Sequence, residues 1–72
     1  LSDYRFVITG SFADYSREEI ERMIKERGGS VQSAVNAKTS FLVVGKDPGS
    51  KLAKARDLGI TIITIGDLVK ML

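Results

Sequence analysis

The run Phe41-Leu42-Val43-Val44 is apolar at every position rather than at every second one, with Ser40 before it and Gly45 after it. A strand with one face in water alternates apolar and polar residues, so a strand written this way has both faces covered and belongs inside a sheet. The rest of the chain must supply what covers it. Arg5 to Thr9 is apolar at Phe6, Val7 and Ile8 and stops at the turn-prone Gly10 and Ser11, which reads as a buried first strand. Ser16 stands three residues before Glu19, with Ile20, Met23 and Ile24 following at helical spacing. That capping box predicts a helix from Arg17 to Arg27, stopped by Gly28 and Gly29. Val31 is the only strong apolar residue between Gly29 and Ala34, which predicts a short edge strand over Ser30 to Ser33. Asp47, Pro48 and Gly49 form a turn and Ser50 is the expected N-cap. Leu52 and Ala55, with Leu58 or Ala53, then give a short helix closed by Gly59. Thr61 to Thr64 is β-branched throughout and predicts a fourth strand. After Gly66, Leu68, Val69 and Leu72 supply the apolar side of a last helix.

Strands alternating with helices imply parallel pairing with right-handed crossovers, so the expected fold class is α/β, a small sheet sandwiched between helices. No repeat, low-complexity tract or linker divides the 72 residues, and a single domain over residues 1–72 is expected. At this size one core stabilises the fold by only a few kcal/mol. The absence of His and Cys excludes a Ser/His or Cys/His nucleophile pair, a thiolate or imidazole metal site and a disulfide framework. Apolar runs reach four residues, far short of the ~20 that a membrane-spanning helix needs. No membrane contact is expected. Leu1 opens no signal sequence, and without an initiator Met the chain reads as a piece of a longer protein.

The net charge of +2 is small, but its distribution is uneven. Residues 1–27 hold five basic and six acidic side chains; residues 28–60 hold Lys38, Lys46, Lys51, Lys54 and Arg56 against Asp47 and Asp57. The basic excess is central. In an open parallel sheet ligands bind beyond the carboxyl ends of the strands, which here means Thr9, Gly10 and Ser11 after the first strand and Gly45 to Lys51 after the third. The first loop offers a hydroxyl and a glycine that a large group can approach closely. The second leads into a helix N-terminus, where unpaired amides and the dipole favour an anion, and Lys51 adds a full positive charge in the first turn. That combination suits a phosphate, although a solvated lysine is the plain alternative. Arg17 occupies the first turn of the first helix and reads either as a second phosphate clamp or as a surface partner of Glu21. Spacing excludes other nucleotide motifs. Gly45, Lys46, Gly49, Ser50 and Lys51 do not form a Walker loop, and no second and third glycine follow Gly10 at dinucleotide-binding spacing.

The runs Phe6-Val7-Ile8-Thr9-Gly10, Ser16-Arg17-Glu18-Glu19, Gly28-Gly29, Thr39 to Gly45 and Gly49 to Ala55 together resemble a BRCT domain. The resemblance is to the C-terminal BRCT module of bacterial NAD-dependent DNA ligases above all, and the BRCT module in the large subunit of replication factor C is similar as well. It implies a three-layer sandwich, a four-stranded parallel sheet with the first and third helices on one face and the second on the other. It also implies a non-catalytic module that contacts DNA at a nick or 5′-phosphate end in replication and repair, through Thr9, Gly10, Arg17 and Lys51. A protein-interaction module of a repair or replication protein is the alternative. By the same resemblance no cofactor belongs to this domain, while NAD and a divalent metal serve elsewhere in a ligase. A cytoplasmic location is implied for the ligase, a nuclear one for a clamp loader. Many BRCT domains carry a Trp in the last helix; this chain has none, as ligase-type modules often do.

Overall fold

The computed structural model describes residues 4–71; the expected contribution of Leu72 to the last helix lies outside the described residues. The described elements are β1 (Arg5–Thr9), α1 (Arg17–Glu26), β2 (Ser30–Gln32), β3 (Phe41–Val44), α2 (Ser50–Leu58), β4 (Thr61–Thr64) and α3 (Ile65–Met71). All strand pairs are parallel and their order is β2-β1-β3-β4. β3 is therefore central, as its unbroken apolar run requires, and the three-residue β2 is an edge.

Successive strand residues point to opposite faces, and the two faces are covered by different helices. On one face Phe6, Ile8, Val43 and Ile63 pack with Ile20 and Ile24 of α1 and Leu68 of α3. On the other, Val7 and Leu42 pack with Ala55 of α2 and with Val35 from the β2–β3 connection. The helices are thus two on one side and one on the other, the three-layer α/β sandwich expected.

These helices are held unequally. Fully burying an Ile or Leu is worth about 1.5–3 kcal/mol, so Ile20 and Ile24, both 0% exposed, anchor α1 strongly. From α2 only Ala55 is fully buried, with Leu52 half-buried. The expected apolar contribution of Leu58 is corrected, since it is 44% exposed, and the alternative residue Ala53 is exposed too. Val69 is likewise 43% exposed, and Met71 takes its place against the core. Val35, in a stretch with no strand pattern, is 1% exposed.

Helix ends follow local chemistry. Ser16 caps α1 by accepting from Glu19 N at 3.1 Å, while Glu19 Oε1 accepts from Ser16 N at 3.2 Å. At the other end Gly29 N donates to Ile24 O and Gly28 N to Lys25 O, both at 3.0 Å, a Schellman closure with Gly28 at φ +83°. Gly29 serves a different purpose: a Cβ there would come within 2.7 Å of Ile24 Cγ2 and 3.3 Å of Phe6 Cε1. It lets β2 begin directly against α1 and β1. The last helix starts one residue before Gly66, with Thr64 and Asp67 exchanging hydrogen bonds of 3.2 Å across its first turn.

Candidate functional site

The sites read from sequence lie in two loops separated by more than thirty residues, and the structure closes them onto each other at the carboxyl rim of the sheet. β1 and β3 pair up to Thr9 and Val44, and Gly45 N then donates to Thr9 O at 2.9 Å. One residue further, Ser11 and Lys46 exchange two backbone hydrogen bonds of 2.9 and 2.8 Å, an antiparallel bridge between otherwise parallel segments. Such an approach leaves no room for side chains at the crossing. A Cβ on Gly10 would meet Lys46 O at 2.8 Å, and one on Gly45 would overlap Ser11 O. Glycine is needed at both positions because two backbones touch.

Thr9 is 6% exposed, and its hydroxyl donates to Pro48 O. The threonine expected to face a ligand thus also ties the end of β1 to the segment that leads into α2. Among the described residues no buried side-chain nitrogen or oxygen lacks a partner.

The N-terminus of α2 is chemically unlike that of α1. The expected cap, Ser50, is the first helical residue, and Gly49 occupies the N-cap at φ +71°. No atom beyond its chain neighbours lies within 4 Å of a Cβ built there, so the backbone conformation rather than crowding calls for glycine. Having no side chain, Gly49 offers the first amides no acceptor, and α2 has no acidic residue in its first turn. The positive end of the helix dipole is therefore uncompensated by its cap or first turn, and the half-buried Lys51 adds a charge of the same sign. By contrast, α1 has its capping box and the acids Glu18 and Glu19. Lys46 and Lys54 are exposed nearby in sequence, with Asp47 as the one acid of the connection, at φ +54°. An oxyanion is the species such amides and lysines satisfy.

The structure brings Thr9, Gly10 and Ser11 together with Gly45, Lys46 and Pro48, and Lys51 follows in the first turn of α2. Arg17 is joined to β1 instead, its Nη2 donating to Ile8 O. Sequence reasoning passed over three parts of the rim: the Ser11–Lys46 bridge, the Pro48 carbonyl as acceptor for Thr9, and the crowding at Gly45. None has a local signal, because each is a contact between residues 34 to 39 apart.

Residues 1–72 match the family described as the BRCA1 C Terminus (BRCT) domain. The chain is 54% identical over 72 residues to a DNA ligase of Desulforamulus reducens, covering all of this chain and 11% of the relative. It is 55% identical over 67 residues to a DNA ligase of Thermoanaerobacter sp., covering 93% of this chain and 10% of the relative. To a DNA ligase of Koribacter versatilis it is 46% identical over 72 residues, again all of this chain and 11% of the relative. The chain thus spans about a tenth of the length of these ligases. Among solved structures, Rad4 BRCT1,2 in complex with a Crb2 phosphopeptide superposes with a TM-score of 0.82 at 20% identity, over 94% of this chain and 37% of that one.

Proposed function

The chain belongs to the BRCT domain family, and from that premise we propose that it is the non-catalytic DNA-binding module of an NAD-dependent DNA ligase acting in replication and repair. It grips phosphate of nicked or 5′-phosphorylated DNA at the rim formed by Thr9, Gly10 and the N-terminus of α2 with Lys51, and Arg17 stands beside this rim. The observation that carries the reading is the open N-terminus of α2. A nine-residue helix with no side-chain cap, no first-turn acid and a first-turn lysine is unfavourable on its own terms and favourable with an anion present. Identity of 54% and 46% over all of this chain to segments of DNA ligases supports DNA as the source of that anion. Adenylation chemistry, NAD and the divalent metal belong to other parts of the ligase, in the cytoplasm.

Titration of nicked or recessed DNA at several salt concentrations tests this. Affinity falls by about 0.9 log units per log unit of salt for each phosphate neutralised. Lys51→Glu lowers affinity severalfold while its far-UV circular dichroism and melting stay close to those of the unsubstituted chain. DNA binding by Lys51→Glu equal to that of the unsubstituted chain would sink the proposal.

A second reading rests on the superposition with Rad4 BRCT1,2, whose structure holds a phosphopeptide. In it the chain is the protein-interaction module of a repair or replication protein such as a clamp-loader large subunit, and the same rim takes a phosphorylated partner. The modest net charge of +2 favours this reading, since strong nonspecific DNA binders are usually more basic, while identity of only 20% leaves it the alternative. DNA binding that is detectable and salt-sensitive eliminates it, and phosphopeptide binding without DNA binding establishes it.

A further inference from the structure

Arg17 occupies the first turn of α1, a place that suits a phosphate clamp, yet its guanidinium already has a task. Nη2 donates to Ile8 O, nine residues back, in a part-buried contact. The strand register shows why that carbonyl needs a donor. β1 pairs with β2 through Arg5, Phe6 and Val7 alone, whereas its pairing with β3 continues to Thr9. Carbonyls along a strand alternate between its two neighbours. Tyr4 O accepts from Ser30 N on the β2 side, while Arg5 O and Thr9 O accept from Ser40 N and Gly45 N on the β3 side. Ile8 O, in phase with Tyr4 O, faces the β2 side. The amide that would continue the ladder there is that of Ala34, which lies beyond the end of β2 and is exposed.

We infer that Arg17 is a positioning residue. It substitutes for the missing strand at the end of β1 and so fixes the backbone from which Thr9, Gly10 and the Ser11–Lys46 bridge are built; it does not neutralise a phosphate. The inference rests on the rim being the DNA site. A lysine keeps the charge but offers a compact ammonium in place of the planar fork that reaches Ile8 O, which makes Arg17→Lys the informative change.

The 72-residue chain, Arg17→Lys and Arg17→Gln are compared by amide hydrogen exchange without ligand and by titration of nicked DNA at several salt concentrations. Amides of Ser11 and Lys46 exchange about tenfold faster in both variants, as expected when a partly buried carbonyl loses its donor. The Ile24 amide, inside α1, serves as the control for global folding. Both variants lose DNA affinity severalfold with the salt slope unchanged. Two results overturn the inference: unchanged exchange at Ser11 and Lys46 in both variants, or Arg17→Lys binding like the unsubstituted chain while Arg17→Gln loses about 0.9 from the slope. If the unsubstituted chain binds no DNA, the exchange measurement still decides the role of Arg17, and only the DNA reading falls.

Discussion

Gly45→Ala places a methyl group where two backbones cross. The new Cβ would overlap Ser11 O, lie 2.9 Å from Ser11 C and 3.0 Å from Phe12 Cε1. Two of these neighbours are backbone atoms, which cannot swing aside as a flexible side chain can. The loops must part, and the two Ser11–Lys46 hydrogen bonds of 2.9 and 2.8 Å lengthen or break. Each bond contributes about 0.5–1.5 kcal/mol net, and forcing atoms into a filled space costs a further 1–3 kcal/mol or so. The sum is at least about 2 kcal/mol, against a total of roughly 3–5 kcal/mol for a domain of this size. In urea, with a slope of about 1 kcal/mol per molar, the unfolding midpoint should drop by about 2 M or more. Gly66→Ala is the matched control. It lies inside α3, where a Cβ would meet only Thr64 Oγ1 at 3.7 Å, so it should raise the midpoint by about 0.5–1 M through lost unfolded-state entropy. Circular dichroism at equilibrium in a urea series measures both. A Gly45→Ala midpoint within about 0.5 M of the unsubstituted chain, on the same scale, would show that the rim is not a close backbone crossing.

Two further substitutions separate stability from binding. Ser16→Ala removes the cap of α1 and should cost about 1 kcal/mol, lowering the melting temperature by about 4–8 °C; an unchanged calorimetric midpoint would refute the capping role. Thr9→Val keeps the shape but deletes the donor to Pro48 O, costing about 1 kcal/mol and weakening DNA binding severalfold at constant salt slope, since no charge is lost. Thr9→Ser should restore binding, and a failure to do so would assign the effect of Thr9→Val to packing instead of the hydroxyl.

Features with a local period or a local stop could be read from the order of residues alone. The capping box at Ser16 and Glu19, the closure at Gly28, the unbroken apolar β3 and the β-branched β4 each describe a few neighbouring residues, and together they fix the order of elements, the parallel sheet and its covering on both faces. They also place Thr9, Gly10 and Lys51 at strand or helix ends, because such ends are marked by the residues that stop a pattern. Which side of a short helix is sheltered follows from packing between distant segments. Leu58 and Val69 satisfy helical spacing as well as any core residue, yet stay about 44% and 43% exposed, since shelter depends on which strands lie beneath and how far the sheet extends. The same holds for Val35, buried from a loop because α2 leaves its face partly uncovered. The rim, too, is a product of distant segments: the Ser11–Lys46 bridge, the Thr9–Pro48 bond and the need for glycine at Gly45 join parts of the chain 34 to 39 residues apart. Arg17 shows the division most plainly. Its charge and its place in the first turn of α1 can be read from the letters, but that its guanidinium finishes a ladder follows only from β2 ending two residues before β1, and no local pattern records where a neighbouring strand stops.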